Sequence, residues 1–138
     1  MSILASPRFL PRVMAADAIS CAATGAVQLG LTEILVRLTG LPAALLTGTG
    51  IFLLAYAALA AWMARRPVPP RRLIGFVVAG NLAWAVGGVA LLASGLVAQT
   101  ALGVAWVLAQ VVVVIALAQL QWMGLRATRP ARGRMAAA

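Results

Sequence analysis

Histidine and lysine are absent from this 138-residue chain, cysteine occurs once, at Cys21, and Asp17 and Glu33 are the only acids. Without imidazole there is no His-ligated haem or chlorophyll, no His metal site and no His general base. A lone thiol excludes an intrachain disulfide and paired-thiol redox chemistry. The general acid–base inventory is nearly empty, so the expectation is a non-enzymatic protein with no cofactor, metal or catalytic residue of its own. Charge is scarce as well: 9% of residues carry one, against roughly 25% in a soluble domain.

What fills the chain instead is hydrocarbon. Hydrophobic residues make up 64% of it, with another 13 Gly, and positions 73–125 run for 53 residues without a charge. An α-helix crosses a bilayer in roughly 20 apolar residues, so that run holds two crossings and a turn. The sequence predicts an all-α integral membrane four-helix bundle, built as two helical hairpins, with spans at about 13–31, 43–64, 73–93 and 101–123. Residues 1–126 form its single domain, and 127–138, with Pro130, Gly133 and terminal alanines, read as a basic, disordered tail. Asp17 interrupts any signal-peptide core near the N-terminus, so the first apolar stretch reads as an uncleaved helix.

All eleven positive charges are arginines, and ten fall in three clusters: Arg8 and Arg12; Arg65, Arg66, Arg71 and Arg72; Arg126, Arg129, Arg132 and Arg134. Successive clusters are separated by two crossings each. The positive-inside rule then places all three, and both termini, in the cytoplasm. A net charge of +9 would suggest nucleic acid in a soluble protein; here the arginines serve as topology determinants beside anionic lipid, and no nucleic-acid partner is expected. Arg37 alone falls on the far side, four residues after Glu33, where a helix would pair them.

Punctuation agrees with the spans. Pro67, Pro69 and Pro70 cannot continue a helix and separate spans two and three. Residues 94–100, Ser-Gly-Leu-Val-Ala-Gln-Thr, have loop composition and join spans three and four. Between spans one and two, Leu31, Ile34, Leu35, Leu38 and Leu41 recur at helical spacing, with Thr32 as N-cap and Gly40 and Pro42 as stop signals. They predict a short helix lying in the outer interface, the alternative being a two-turn continuation of span one. Trp62-Met63 and Trp122-Met123, each followed shortly by Arg, hint at a repeat, although interfacial anchoring by Trp produces the same pattern.

Polar side chains within the spans carry what functional information exists, because a lipid core offers them no water. Asp17, Ser20, Thr24 and Gln28 are spaced by three, four and four and form one stripe on span one, with Cys21 beside it. On span three Asn81 shares a face with Trp84, and Ala79, Ala83 and Gly87 make a small-residue ridge. On span four Gln110 and Gln121 share a face that Gln119 does not. Asn81 lies nine residues beyond Arg72 and Tyr56 nine before Arg65, which puts each roughly 13 Å deep at helical rise. The prediction is a mid-membrane polar layer of Thr24, Tyr56, Asn81 and Gln110. Asp17 would sit nearer the surface, favoured by the helix dipole and ion-paired to a neighbouring arginine such as Arg12.

Ala16-Asp17-Ala18, Ala23-Thr24-Gly25, Gly40-Leu41-Pro42, Asn81-Leu82-Ala83-Trp84 and Ala101-Leu102-Gly103 resemble segments of small four-helix proteins of bacterial inner membranes, over most of residues 9–126. That resemblance implies fold and location and brings no activity with it. The leading expectation is a protein that works by helix packing, as an accessory subunit of a membrane complex or as a homo-oligomer, its partners being membrane lipids and other membrane proteins or itself. The alternative is a small proton- or cation-coupled transporter, or a lipophile-binding protein, using Asp17. Small multidrug-resistance transporters also have four helices and a carboxylate in the first, but their dual topology needs a weak charge bias, unlike the strong arginine bias here.

Overall fold

The computed structural model describes residues 3–128; most of the predicted tail, from residue 129 onward, lies outside the described residues. A single 3₁₀ turn, Ile3–Ala5, precedes five helices: α1 Phe9–Gly30, α2 Thr32–Thr39, α3 Ala43–Ala64, α4 Arg71–Ser94 and α5 Ala101–Ala127. Four of them, all but α2, are long and apolar enough to cross a membrane. Each contains the corresponding predicted span apart from Leu31, which caps α1.

Local chemistry sets the boundaries. Pro11 falls within the first turn of α1, where a missing N–H costs nothing. Pro42 and Pro70 hold extended backbone immediately before α3 and α4. Gly40 (φ 72°) and Gly95 (φ 65°) end α2 and α4 in the left-handed conformation. Thr100 caps α5, its hydroxyl accepting from the Gly103 N–H at 3.1 Å. The chain breaks at Leu31, so α2 is a separate helix and does not prolong α1. Thr32 is not its N-cap: the hydroxyl turns back to donate to the Gln28 carbonyl at 2.6 Å. Nor do all the predicted leucines point the same way. Leu35 and Leu41 are buried in the bundle, whereas Leu31, Ile34 and Leu38 are exposed. Glu33 and Arg37 are both exposed on α2.

The helices pack as two hairpins, α1 against α3 and α4 against α5, joined through α1 and α5. At the α1–α3 crossing a Cβ on Gly25 would stand 2.9 Å from the Gly50 carbonyl oxygen, so only two hydrogens permit this approach. α3 and α4, although consecutive, make no close backbone contact among the described residues. Toward the arginine-bearing end the hairpins nevertheless close up through side chains. Met14, Ala18, Ala60, Met63 and Val77 form one buried cluster and Leu10, Ile74, Val78 and Ala118 another. At the opposite end α2 holds the hairpins together: Thr100 N–H donates to the Thr39 carbonyl at 3.0 Å and Thr100 Oγ1 donates to the Leu38 carbonyl. Between these two closures α3 and α4 stand apart.

Candidate functional site

Asp17 lies in the middle of the arginine-end closure and is completely buried. Its Oδ2 accepts from the Tyr56 hydroxyl at 2.6 Å, from Gln121 Nε2 at 2.7 Å and, more weakly, from Asn81 Nδ2 at 3.5 Å. Oδ1 accepts from the Cys21 thiol at 3.5 Å. Asn81 also donates to Gln121 Oε1 at 3.2 Å, and Gln121 Nε2 reaches Met14 Sδ at 3.7 Å. One carboxylate thus ties together α1, α3, α4 and α5.

This knot differs from the predicted layer. Tyr56 and Asn81 belong to it, but Gln110 and Thr24 do not, and the missing member is Gln121. Helical rise explains the split: Gln110 is eleven residues from Gln121 along α5, roughly 16 Å at helical rise. Among the described residues the partners of Asp17 are neutral donors, with no arginine. Since α1 already starts at Phe9, Asp17 lies more than two turns in, beyond the first turn where a helix dipole acts.

The remaining polar residues of the stripe turn toward cavities. A cleft of about 570 Å³ opens between α3 and the α4–α5 hairpin. Leu45, Leu46, Thr49 and Phe52 form its α3 wall, Gly80, Ala83, Trp84 and Gly87 its α4 wall, and Trp106 and Gln110 its α5 wall. The cleft exists partly because side chains are missing: a Cβ added at Gly80 or Gly87 meets nothing within 4 Å. Gln28 lies at its edge, 2% exposed, with its Oε1 accepting from the Thr49 hydroxyl at 3.1 Å. A smaller cavity of about 180 Å³ is lined by Ser20, Cys21, Thr24, Trp84, Trp106 and Gln110 among others. Trp84, Trp106 and Gln110 border both spaces. Asp17 lines neither.

Gln28 and Gln110 are recognisable in the sequence as polar residues within apolar spans, but their surroundings are not. Trp106 Nε1 is enclosed with no hydrogen-bond partner among the described residues, and nothing in the sequence marks it. A cluster of three or more metal-ligating acidic, Cys or His side chains is absent among the described residues.

Helices of this length and hydropathy, paired as two hairpins around a buried polar knot, define a small multi-pass membrane protein with four candidate spans. No protein family, no curated protein and no solved structure matches the chain. The likeness to small four-helix membrane proteins therefore stands at the level of architecture.

Proposed function

We propose that the protein is a non-enzymatic membrane protein that binds a lipophilic molecule in the cleft between α3 and α4, with both termini on the cytoplasmic side of a bacterial inner membrane. The cleft itself carries the reading. Its volume of about 570 Å³ falls within the roughly 300–1,000 Å³ of small-molecule sites, and its walls are apolar with few polar groups. Asp17 acts in this reading as a structural acceptor and not as a coupling group, because four donors already converge on its carboxylate and it borders neither cavity. The lack of His and Lys favours binding over catalysis. Three arginine clusters separated by pairs of spans support the orientation.

The test is extraction of the purified protein with organic solvent and mass analysis of what it releases. Wild type should retain a lipophile in near-stoichiometric amount, and Gly87→Phe, which projects a ring into open space, should lose it. Equal yields from both would overturn the reading. Tags at the two ends, both protected in intact cells and both reached after the inner membrane is opened, are expected for the orientation; opposite behaviour of the ends would refute it.

A second reading, packing against another membrane helix or a second copy, is favoured by the exposure of Ala79, Ala83 and Gly87 along α4. Mass measurement in mild detergent separates the two: a stable monomer free of other protein removes this second reading and leaves the first.

A further inference from the structure

The occupant of the cleft can be narrowed from what lines it. None of the lining residues is ionisable. A charged headgroup would be desolvated there without a counter-charge, which is costly, so the ligand is neutral at the part that enters.

The polarity left open to a ligand is that of carboxamides. Gln28 is 2% exposed, and among the described residues its side-chain amide meets only the Thr49 hydroxyl, at 3.1 Å, which also donates to the Leu45 carbonyl at 2.6 Å. Gln110, half-buried and bordering both cavities, makes no side-chain hydrogen bond among the described residues. A ligand that pairs with the amide N–H groups must accept hydrogen bonds, and a carbonyl oxygen does so.

Shape adds a third constraint. Phe52 and Trp84 stack across the cleft edge with centroids 5.7 Å apart and planes 12° apart, and Phe52 continues to Tyr56 at 6.5 Å and 13°. Near-parallel rings offer a flat surface to a planar group, and Gly80, Ala83 and Gly87 leave space free of side chains nearby. A glycerolipid has ester carbonyls but no plane. A plain hydrocarbon has neither.

We infer that the cleft binds a prenylquinone, a neutral planar ring carrying carbonyl oxygens on a hydrocarbon tail. This rests on the lipophile-binding reading above and adds the ligand's class.

The test uses full-length protein in neutral-lipid nanodiscs, in a Trp62→Phe/Trp122→Phe background so that emission comes from Trp84 and Trp106. Decylubiquinone should quench it saturably. Gln28→Leu and Gln110→Leu should each raise the half-saturating concentration about five- to tenfold, the equivalent of one hydrogen bond; thermal unfolding verifies that both variants fold. Decylbenzene and dioleoylglycerol should displace the quinone poorly. Displacement by decylbenzene at matching concentration, or unchanged half-saturation in both folded variants, would overturn the quinone class and leave lipophile binding standing. Stronger displacement by dioleoylglycerol would replace the quinone by an ester lipid. Quenching that rises linearly and is indifferent to Gly87→Phe would overturn both.

Discussion

The two halves of the bundle treat the same kind of residue in opposite ways. At the arginine-bearing end, Asp17, Cys21, Tyr56, Asn81 and Gln121 satisfy one another across four helices, and of these five only Cys21 borders either of the two cavities. Toward the other end, Gln28 and Gln110 border open space, and Gln110 makes no side-chain hydrogen bond among the described residues. Buried polar groups cost free energy unless paired. A closed polar network therefore specifies packing, and an open one marks a place where something else completes it.

The sharpest way to break this contrast is to remove the shared acceptor. Asp17→Ala leaves the Tyr56 hydroxyl and the Gln121 and Asn81 amides facing a void, and should destabilise the bundle by about 3 kcal/mol, since each unsatisfied buried group costs on the order of 1–3. Gln110→Leu, in the open half, should change stability by less than about 0.5 kcal/mol, as its side chain gives up no internal bond. Reversible unfolding in mixed detergent micelles measures both. Equal effects would erase the distinction between the halves.

Steric substitutions draw the same line. Gly25→Val forces the α1 and α3 backbones apart at a contact that already stands at 2.9 Å for a bare Cβ, and should cost about 2 kcal/mol, within the range for overpacking. Gly87→Val projects into open space and should be neutral or slightly stabilising, because replacing Gly within a helix recovers a few tenths of a kcal/mol. Thermal denaturation of the two variants in one detergent decides it; a Gly87 variant as unstable as the Gly25 one would mean that the cleft is filled by protein.

How far the sequence reveals this arrangement depends on what each residue reports. Span positions are readable because hydropathy summed over roughly 20 residues averages away local error, and the short helix α2 because Gly40 and Pro42 punctuate its end. Within the knot, Asp17, Tyr56 and Asn81 are recognisable as polar residues in apolar helices. Gln121 carries a signal too: it stands five residues before Arg126, as Asp17 stands five after Arg12, so counting depth from both arginines places them level. Placing Gln110 in the polar layer ignores that count. The cleft is not legible, since whether Gly87 faces a neighbour or a gap depends on how two hairpins diverge, and no periodicity encodes the divergence.

Within the knot itself the donors are unequal. Tyr56→Phe removes the short 2.6 Å bond to Oδ2 while keeping the ring stacked on Phe52, and should cost about 1 kcal/mol, between the membrane average of roughly 0.6 and the maximum of about 1.7. A cost as large as that of Asp17→Ala, measured in the same unfolding assay, would mean that Tyr56 alone holds the carboxylate.

The smallest expected effect bears on whether the two hairpins also share a design at their arginine ends. Arg66 lies over Trp62 with its guanidinium carbon 4.5 Å from the ring centroid, and Arg126 over Trp122 at 4.7 Å. Both pairs are spaced by four residues, and the tryptophans are about equally exposed, 42% and 41%. The surroundings diverge one residue later, where Met63 is fully buried and Met123 is 44% exposed. If the stacked pair acts as a surface anchor and nothing more, Arg66→Ala and Arg126→Ala should each cost about 0.5 kcal/mol, the exposed cation–π range. Coupling to the buried core through Met63 would instead make the Arg66 variant distinctly worse. Paired unfolding curves for the two alanine variants distinguish these outcomes, and equal small shifts would mean that the repeated Trp–Arg spacing reflects depth in the membrane and not a shared core.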